Sequence, residues 1–170
     1  MKRILFILSA VILFTSSAYA QDNYDMVNVG DNMPVFSLQS SINGNIDSKD
    51  LEGKVVLINI FATWCPPCQV ELKEVQEVLY PKYKDNPNFK MLTVGREHNE
   101  NELKEYNQKK GFSFPLYPDP SREFTSKFAT RNIPRSYLID KNGKIVYTSV
   151  GYKQEEFDKL MNLIEKLVNE

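Results

Sequence analysis

The strongest hydrophobic pattern in the chain is the nearly unbroken apolar run KVVLINIFA at residues 54–62. Its β-branched residues predict a central strand that is covered on both faces. A second run, FKMLTVG at 89–95, predicts another buried strand. Between them, apolar residues recur every three or four positions, which predicts a helix from about Pro66 that Pro81 bends or ends. Two buried strands joined through a helix indicate a parallel pair.

Shorter patterns predict a hairpin near each end of the chain. Residues 35–39 alternate between apolar and polar, and Asn43-Gly44 is a turn signal, so we expect an amino-terminal hairpin with a short return strand. Near the carboxyl end, residues 136–140 and 144–150 flank Asn142-Gly143. That arrangement predicts two antiparallel strands joined by a two-residue turn.

Helix signals separate these strands. Asn99 followed by Glu102 forms a capping-box pattern, which predicts a helix over about 99–110 that Gly111 closes. Residues 112–119 are rich in proline and aromatic side chains, which indicates irregular structure or a short edge strand.

Two further helical segments are expected after this stretch. Ser121 is predicted to cap a segment that carries Phe124 and Phe128. A final amphipathic helix begins with Glu155 and Glu156, where the helix dipole favours negative charge. Its apolar positions are spaced for one buried face, at Phe157, Leu160, Met161, Ile164, Leu167 and Val168.

The order of elements predicts one α/β domain over residues 21–170. It runs strand, helix, strand, helix, strand hairpin, helix, so we expect a mixed β-sheet with helices on both faces. The amino-terminal hairpin is an extension of this unit.

Residues 1–20 have the organisation of a secretory signal. Lys2 and Arg3 precede a short apolar run, and Ala18-Tyr19-Ala20 is a small-x-small cleavage site. The alternative is an uncleaved membrane anchor, but a spanning helix needs about 20 apolar residues. We therefore expect cleavage after Ala20 and a periplasmic or otherwise extracytoplasmic protein, without a stable membrane span afterwards.

Charge excludes one class of partner. The chain has 21 basic and 22 acidic residues, and removal of the signal leaves 19 basic residues. There is no basic stripe or polybasic run, so a nucleic-acid partner is not expected.

The chain contains two cysteines, Cys65 and Cys68, where the central strand gives way to the helix. A disulfide across two residues closes almost no loop and stabilises little, so a chemical role is the better explanation. A cysteine at a helix N-terminus gains thiolate character from the helix dipole and from unpaired N–H groups. Pro66 and Pro67 fit the first turn, whose N–H groups lack helical partners. The hypothesis is that Cys65 attacks a disulfide and Cys68 resolves the mixed disulfide.

Zinc is the alternative use of the pair. Two thiolates need further ligands, and His98 is the chain's single histidine. We therefore expect no metal site and no cofactor, and His98 is interpreted as a loop residue.

The sequence VVLINIFATWCPPCQVEL, with Asn132-Ile133-Pro134 before SYLID, resembles the TlpA/ResA-like thiol-disulfide oxidoreductases of the thioredoxin superfamily. The resemblance covers roughly residues 29–168 and implies the thioredoxin fold. It implies that Pro134 follows a cis peptide bond facing the cysteines, and that Ile133 pairs with the substrate chain. The helix at 99–110 matches the helix inserted in this group.

Three further residues acquire expected roles from the resemblance. Thioredoxin has a proton-accepting aspartate where this chain has Asn59, and an amide cannot take up that proton. Glu71 matches a glutamate of ResA-like proteins, and the resemblance implies that it is a proton carrier or a redox-sensitive switch. The alternative is that Glu71 is an ordinary charged residue of the helix. Trp64 is expected to shield Cys65 and to shape the docking surface.

The implied activity is dithiol–disulfide exchange with protein substrates. The resemblance favours a reductant, for example of the haem-binding cysteines of apocytochrome c, with general thiol reduction and an oxidant role as the other options. A membrane or periplasmic thiol partner would recharge the pair. One alternative is a thiol peroxidase, although Ala62 and Ile58 stand where peroxiredoxins carry Thr or Ser and Pro. The other is a non-catalytic copper or haem carrier.

Overall fold

A computed structural model describes residues 24–170, so the predicted signal and its cleavage point lie outside the described residues. Within this range a five-stranded sheet has the order β5-β4-β3-β6-β7. Its strands are β3 (Val55–Phe61), β4 (Phe89–Arg96), β5 (Leu116–Asp119), β6 (Arg135–Ile139) and β7 (Ile145–Val150). A separate antiparallel hairpin consists of β1 (Ser37–Leu38) and β2 (Ile46–Asp47).

The central position of β3 follows from its composition, because every residue of Val55–Phe61 is buried. It pairs parallel to β4 and antiparallel to β6. The edge strand β5 is parallel to β4, and β7 closes the other edge beside β6. The mixed sheet and the parallel pair predicted from the two apolar runs are therefore confirmed.

The two faces of the sheet bury different elements. One core packs the helices α1 (Pro66–Glu74), α3 (Glu100–Lys110) and α4 (Gln154–Asn169) against β3, and it contains both cysteines. The opposite core lies under the β1–β2 hairpin and the aromatic rings Phe124 and Phe128. In the described chain, helical structure on this second face is limited to the short 3-10 helices Ser48–Leu51 and Thr125–Lys127.

Pro81 does not end the first helix, because a π-helical segment accommodates it. After α1 the chain continues through a π segment, Val75–Leu79, into α2 (Tyr80–Tyr83). The Tyr80 N–H donates to the carbonyl of Val75, five residues earlier. Proline lacks an N–H and crowds the carbonyl four residues before it, and a locally wider turn accommodates both effects.

The helix predicted over 99–110 is present as α3 with both of its predicted ends. Asn99 and Glu102 form the capping box, and Gly111 adopts a left-handed conformation (φ 70°). The helix also lies close to β4, since a Cβ on Gly95 would be 2.6 Å from Leu103 Cδ2.

Two turn predictions were wrong. Ser121 caps no helix; the Asp119 carboxylate instead accepts the N–H groups of Phe124 and Thr125. The β6–β7 turn is longer than two residues, since Asp140 and Lys144 form its closing backbone bond and leave three residues between them. Its left-handed residue, Gly143 (φ 75°), follows a turn that the Asp140 side chain stabilises.

Candidate active site

The two cysteine sulfurs are bonded to each other at the start of α1, with their Cα atoms 5.3 Å apart. Cys65 is the N-cap residue in extended conformation, and Pro66 and Pro67 fill the first positions of the helix. Cys65 is 3% exposed and Cys68 is fully buried, whereas the neighbouring Trp64 is 62% exposed. Of the two cysteines, Cys65 is therefore the one that retains some exposure, and the residue before it carries a large exposed aromatic ring.

Backbone N–H groups create the polar environment of Cys65. The N–H of Cys68 donates to Cys65 Sγ at 3.3 Å, as an N-cap side chain receives the N–H three residues on. Since the first-turn N–H groups of a helix carry partial positive charge, a thiolate at Cys65 would be stabilised there. Because Pro66 and Pro67 have no backbone N–H, the N–H of Cys68 is the first donor of the helix that the sulfur can receive.

The loop that precedes β6 reaches the cysteines. The Ile133-Pro134 peptide bond is cis, as the resemblance implies. The carbonyl oxygen of Ile133 lies 3.7 Å from Cys65 Sγ, and Pro134 is buried at the start of β6. The structure thus brings Cys65, Cys68, Ile133 and Pro134 together, while their catalytic and substrate-binding roles stay predictions.

Glu71 lies one helical turn beyond Cys68 and is 5% exposed. Ser136 Oγ donates to Glu71 Oε1 at 2.8 Å, and Asn59 Nδ2 donates to Ser136 Oγ at 3.1 Å. Burial raises the pKa of the Glu71 carboxyl, and hydrogen bonds from Asn59 and Ser136 offset part of that rise. Within residues 24–170, Glu71 Oε2 and Asn59 Oδ1 have no hydrogen-bond partner.

Burial in this network favours the protonated form of the Glu71 carboxyl. Glu71 also lines a narrow crevice between β7 and α4, together with Tyr147, Ser149 and Tyr152. Ser136, which joins the two predicted residues, had no signal in the sequence beyond its place in a strand pattern. The predicted pair Asn59 and Glu71 therefore forms one buried polar network through a residue that the sequence did not identify.

A second set of contacts, which the sequence did not predict, supports the backbone before Trp64. His98 follows β4 in a loop, as predicted, but it is buried, and its Nε2 accepts the N–H of Thr63 at 3.0 Å. Gln69 Nε2 donates to the carbonyls of Ala62 and Thr63, and Tyr106 of α3 donates its hydroxyl to Gln69 Oε1. Helix α3 thus contacts the residue of α1 that supports the backbone between β3 and the cysteines.

Among residues 24–170, no group of three or more His, Cys, Asp or Glu side chains could hold a metal ion. The same range contains no helix with the length and hydrophobicity needed to cross a bilayer.

Comparison with known proteins gives consistent matches over most of the chain. The Redoxin family profile matches residues 28–164. The thiol-disulfide oxidoreductase ResA of Bacillus thuringiensis strain Al Hakam is 31% identical over 153 residues, covering 90% of this chain and 87% of that protein. The ResA of Oceanobacillus iheyensis is also 31% identical, over 84% of this chain and 75% of that protein.

Solved structures of thioredoxin-like proteins are similar to this chain over most of its length. The solution structure of a candidate protein disulfide isomerase from Bacteroides thetaiotaomicron superposes with a TM-score of 0.82 at 29% identity, over 86% of this chain and 93% of that one. An uncharacterised thioredoxin-like protein from Porphyromonas gingivalis superposes with a TM-score of 0.64, also at 29% identity, over 84% and 95% of the two chains. The predicted thioredoxin fold is therefore confirmed.

A thioredoxin fold with a Cys-x-x-Cys pair at a helix start defines the class of thiol-disulfide oxidoreductases, and this chain is an oxidoreductase of that class. The chain belongs to the Redoxin family and, within the thioredoxin superfamily, to its TlpA/ResA-like members. The resemblance noted in the sequence is thereby confirmed.

Proposed function

We propose that this protein is an exported dithiol reductant of protein disulfides, with Cys65 as the attacking and Cys68 as the resolving residue. The observation that carries the proposal is the position of Cys65. It is the N-cap of α1, accepts the Cys68 N–H, and lies 3.7 Å from the carbonyl that precedes the cis-proline. Cys68 is fully buried, which suits a residue that meets only the neighbouring sulfur.

The reaction transfers two electrons to the substrate. The Cys65 thiolate attacks one sulfur of a substrate disulfide, forms a mixed disulfide and releases the other substrate sulfur as a thiolate. The Cys68 thiolate then attacks Cys65 Sγ, which forms the Cys65–Cys68 disulfide and releases the second substrate thiolate. The two protons lost by the cysteine thiols balance the two substrate thiols. A dithiol donor of the same chemical class must reduce the pair again.

The direction and the location rest on sequence and family resemblance. Asn59 replaces the proton-accepting aspartate of thioredoxin, and Glu71 offers a buried carboxyl of raised pKa nearby. ResA-like resemblance favours reduction, with the haem-binding cysteines of an apocytochrome c as the proposed substrate class. The signal pattern at 1–20 supports export and a mature chain that begins at Gln21.

A trapping experiment tests this proposal. The full chain with Cys68→Ala, expressed in a bacterial host, should accumulate substrates as mixed disulfides on Cys65, because the resolving thiol is absent. The adducts are recovered from the extracytoplasmic fraction and identified by mass spectrometry after reduction. The intact mass of the captured protein should correspond to residues 21–170.

The matched control is the double variant Cys65→Ser with Cys68→Ala, which should trap nothing. Adducts on the double variant, or full reduction of a disulfide-bonded peptide by Cys65→Ser alone, would contradict the assigned roles. Recovery of peptides with paired haem-binding cysteines would support the cytochrome substrate class, and their consistent absence among abundant adducts would exclude it.

A further inference from the structure

Three consecutive backbone carbonyls of the cis-proline loop, residues 130–134, accept hydrogen bonds from arginine side chains. Arg122 Nη2 donates to the carbonyl of Thr130. Arg135 Nε donates to the carbonyls of Arg131 and Asn132, each at 2.9 Å. The next carbonyl along the chain, that of Ile133, is the one that faces Cys65. The arginine pair (Arg122 and Arg135) therefore fixes the backbone immediately before the group that faces the reactive sulfur.

The loop conformation depends on such support. Asn132 has a left-handed backbone (φ 61°), which a residue other than glycine adopts at an energetic cost. Ile133 and Pro134 follow directly, so a change at Asn132 would rotate the Ile133 peptide group relative to Cys65. A fixed guanidinium at the carbonyls of residues 131 and 132 opposes that rotation.

A carboxylate in turn holds the Arg135 guanidinium. Arg135 has a side-chain exposure of 3%, and its Nη1 donates to Asp25 Oδ1. A buried guanidinium needs such a partner, since desolvation of an uncompensated charge is costly. The Tyr137 hydroxyl lies 3.5 Å from the same nitrogen.

Asp25 belongs to a segment that is attached to the loop by backbone bonds. The N–H of Met26 donates to the carbonyl of Phe128, and the N–H of Thr130 donates to the carbonyl of Tyr24, both at 2.9 Å. The Arg131 guanidinium lies 5.2 Å from the ring centre of Tyr24. Residues 24–26 therefore stabilise the loop through backbone hydrogen bonds, and Asp25 provides the carboxylate that pairs with the buried Arg135.

From this geometry we propose that Arg135, anchored by Asp25, is a positioning residue that holds the Ile133 peptide group for pairing with the polypeptide backbone of the substrate. The inference rests on the proposed function and adds a determinant of selectivity for polypeptide disulfides. Lysine could not replace Arg135, because a single ammonium lacks the planar fork that reaches two carbonyls and a carboxylate at once.

The test compares two oxidants of the reduced full-length protein. One is a disulfide-bonded peptide, whose backbone can pair with Ile133. The other is cystamine, a small disulfide without a peptide bond, which depends on the cysteines alone. The variants are Asp25→Asn, which keeps the shape but removes the charge, and Arg135→Lys. The matched control is Glu165→Gln, which breaks the ion pair between Glu165 and Lys82 on other elements.

We expect both variants to lower the second-order rate constant for the peptide about tenfold, the change that corresponds to losing roughly one hydrogen bond. Their rate constants for cystamine and their reduction potentials should remain at the wild-type values, and Glu165→Gln should change neither rate. Thermal unfolding of each variant confirms that the comparison is made on folded protein.

The outcomes separate this inference from the proposed function. Equal rates for wild type and Asp25→Asn with both oxidants, or an equal fall with both, would overturn the positioning role. A wild-type protein that reduces neither oxidant would instead overturn the proposed function. Asp25→Asn keeps the test decisive if Arg135→Lys does not fold.

Discussion

At the scale of single residues, Glu71 shows how the fold changes the chemistry of an ordinary helix position. The sequence places it in a row of charged residues, whereas the structure removes it from water beside Ser136. Because burial raises the pKa of this carboxyl above its ordinary value of 4.5, ionisation of Glu71 costs more free energy in the folded state than in the unfolded chain. As the pH rises above 4.5, the unfolded chain loses this proton first and the folded state loses stability until the folded pKa is passed.

Glu71→Gln should therefore stabilise the protein at high pH and have little effect at pH 4. A pKa that is higher by one in the folded state corresponds to about 1.4 kcal/mol. The difference in free energy of unfolding between the variant and the wild type should therefore grow from pH 4 to pH 8. Urea unfolding of the disulfide form at these pH values measures it.

The control is Glu77→Gln, an exposed position of the same helical run, which should show no such trend. If the difference in free energy of unfolding between Glu71→Gln and the wild type did not change with pH, the burial argument would be contradicted. An unchanged pH profile of thiol–disulfide exchange in Glu71→Gln would remove the proton-carrier hypothesis while leaving the stability argument intact.

At the scale of elements, one carboxylate joins the two additions to the sheet, the β1–β2 hairpin region and helix α3. Glu100, in the first turn of α3, accepts hydrogen bonds from Ser40 Oγ and Ser41 Oγ at 2.6 Å and from the Ile42 N–H at 3.1 Å. These donors, led by the Ser40 hydroxyl, lower the pKa of Glu100 to about 2. A carboxyl with a lowered pKa stabilises the fold above its unfolded value and loses that contribution as the pH falls toward 2.

Glu100→Gln should lower the melting temperature at pH 6 and have a vanishing effect near pH 2. The expected decrease is on the order of 1–2 °C, since the carboxylate lies near the surface, where solvent partly screens its charge. Thermal unfolding followed by circular dichroism between pH 2 and pH 6 measures the difference.

Glu105→Gln is the control on the same helix, because Glu105 is exposed and is not bonded to the hairpin region. An equal pH dependence in both variants would show that helix charge, and not the contact with Ser40, causes the effect.

At the scale of the whole molecule, β3 separates two cores with different duties. Leu57 and Phe61 face the core that contains the cysteines and the three long helices. Ile58 and Ile60 face the opposite core, under the hairpin and the aromatic rings. The cysteines therefore belong to one core, while Ile133 of the cis-proline loop packs against both.

Ile58→Ala should lower the free energy of unfolding by about 2–5 kcal/mol, because it leaves a cavity in a fully buried position. The rate of exchange with a small disulfide should stay unchanged well below the melting temperature. Chemical denaturation and a cystamine assay measure the two quantities, with Ile42→Ala as the control at a 55% exposed isoleucine. A fall in exchange rate as large as that of a site variant would show that the two cores are coupled.

The elements with strong local patterns were predicted correctly. The run at 54–62 is the central strand, and its nearly continuous apolar composition was sufficient to predict that both of its faces are buried. The capping box at Asn99 and Glu102 was predictable because it joins residues only three positions apart. The predictions that failed concern Ser121 and the β6–β7 turn, where an aspartate side chain supplies the contacts that the local signal assigned elsewhere. Of the two outcomes predicted at Pro81, an end to the helix is not observed, because a wider helical turn accommodates the proline.

The sequence by itself determined the paired cysteines, the helix that begins with them, the order of strands and the membership of a redox family. Tertiary structure decided what surrounds the sulfurs. The bonds from Ser136 to Glu71, from Thr63 to His98 and from Arg135 to Asp25 span 65, 35 and 110 positions of the chain. Contacts between such distant residues leave no periodic pattern in the sequence, because they form only when the sheet brings the loops to one edge.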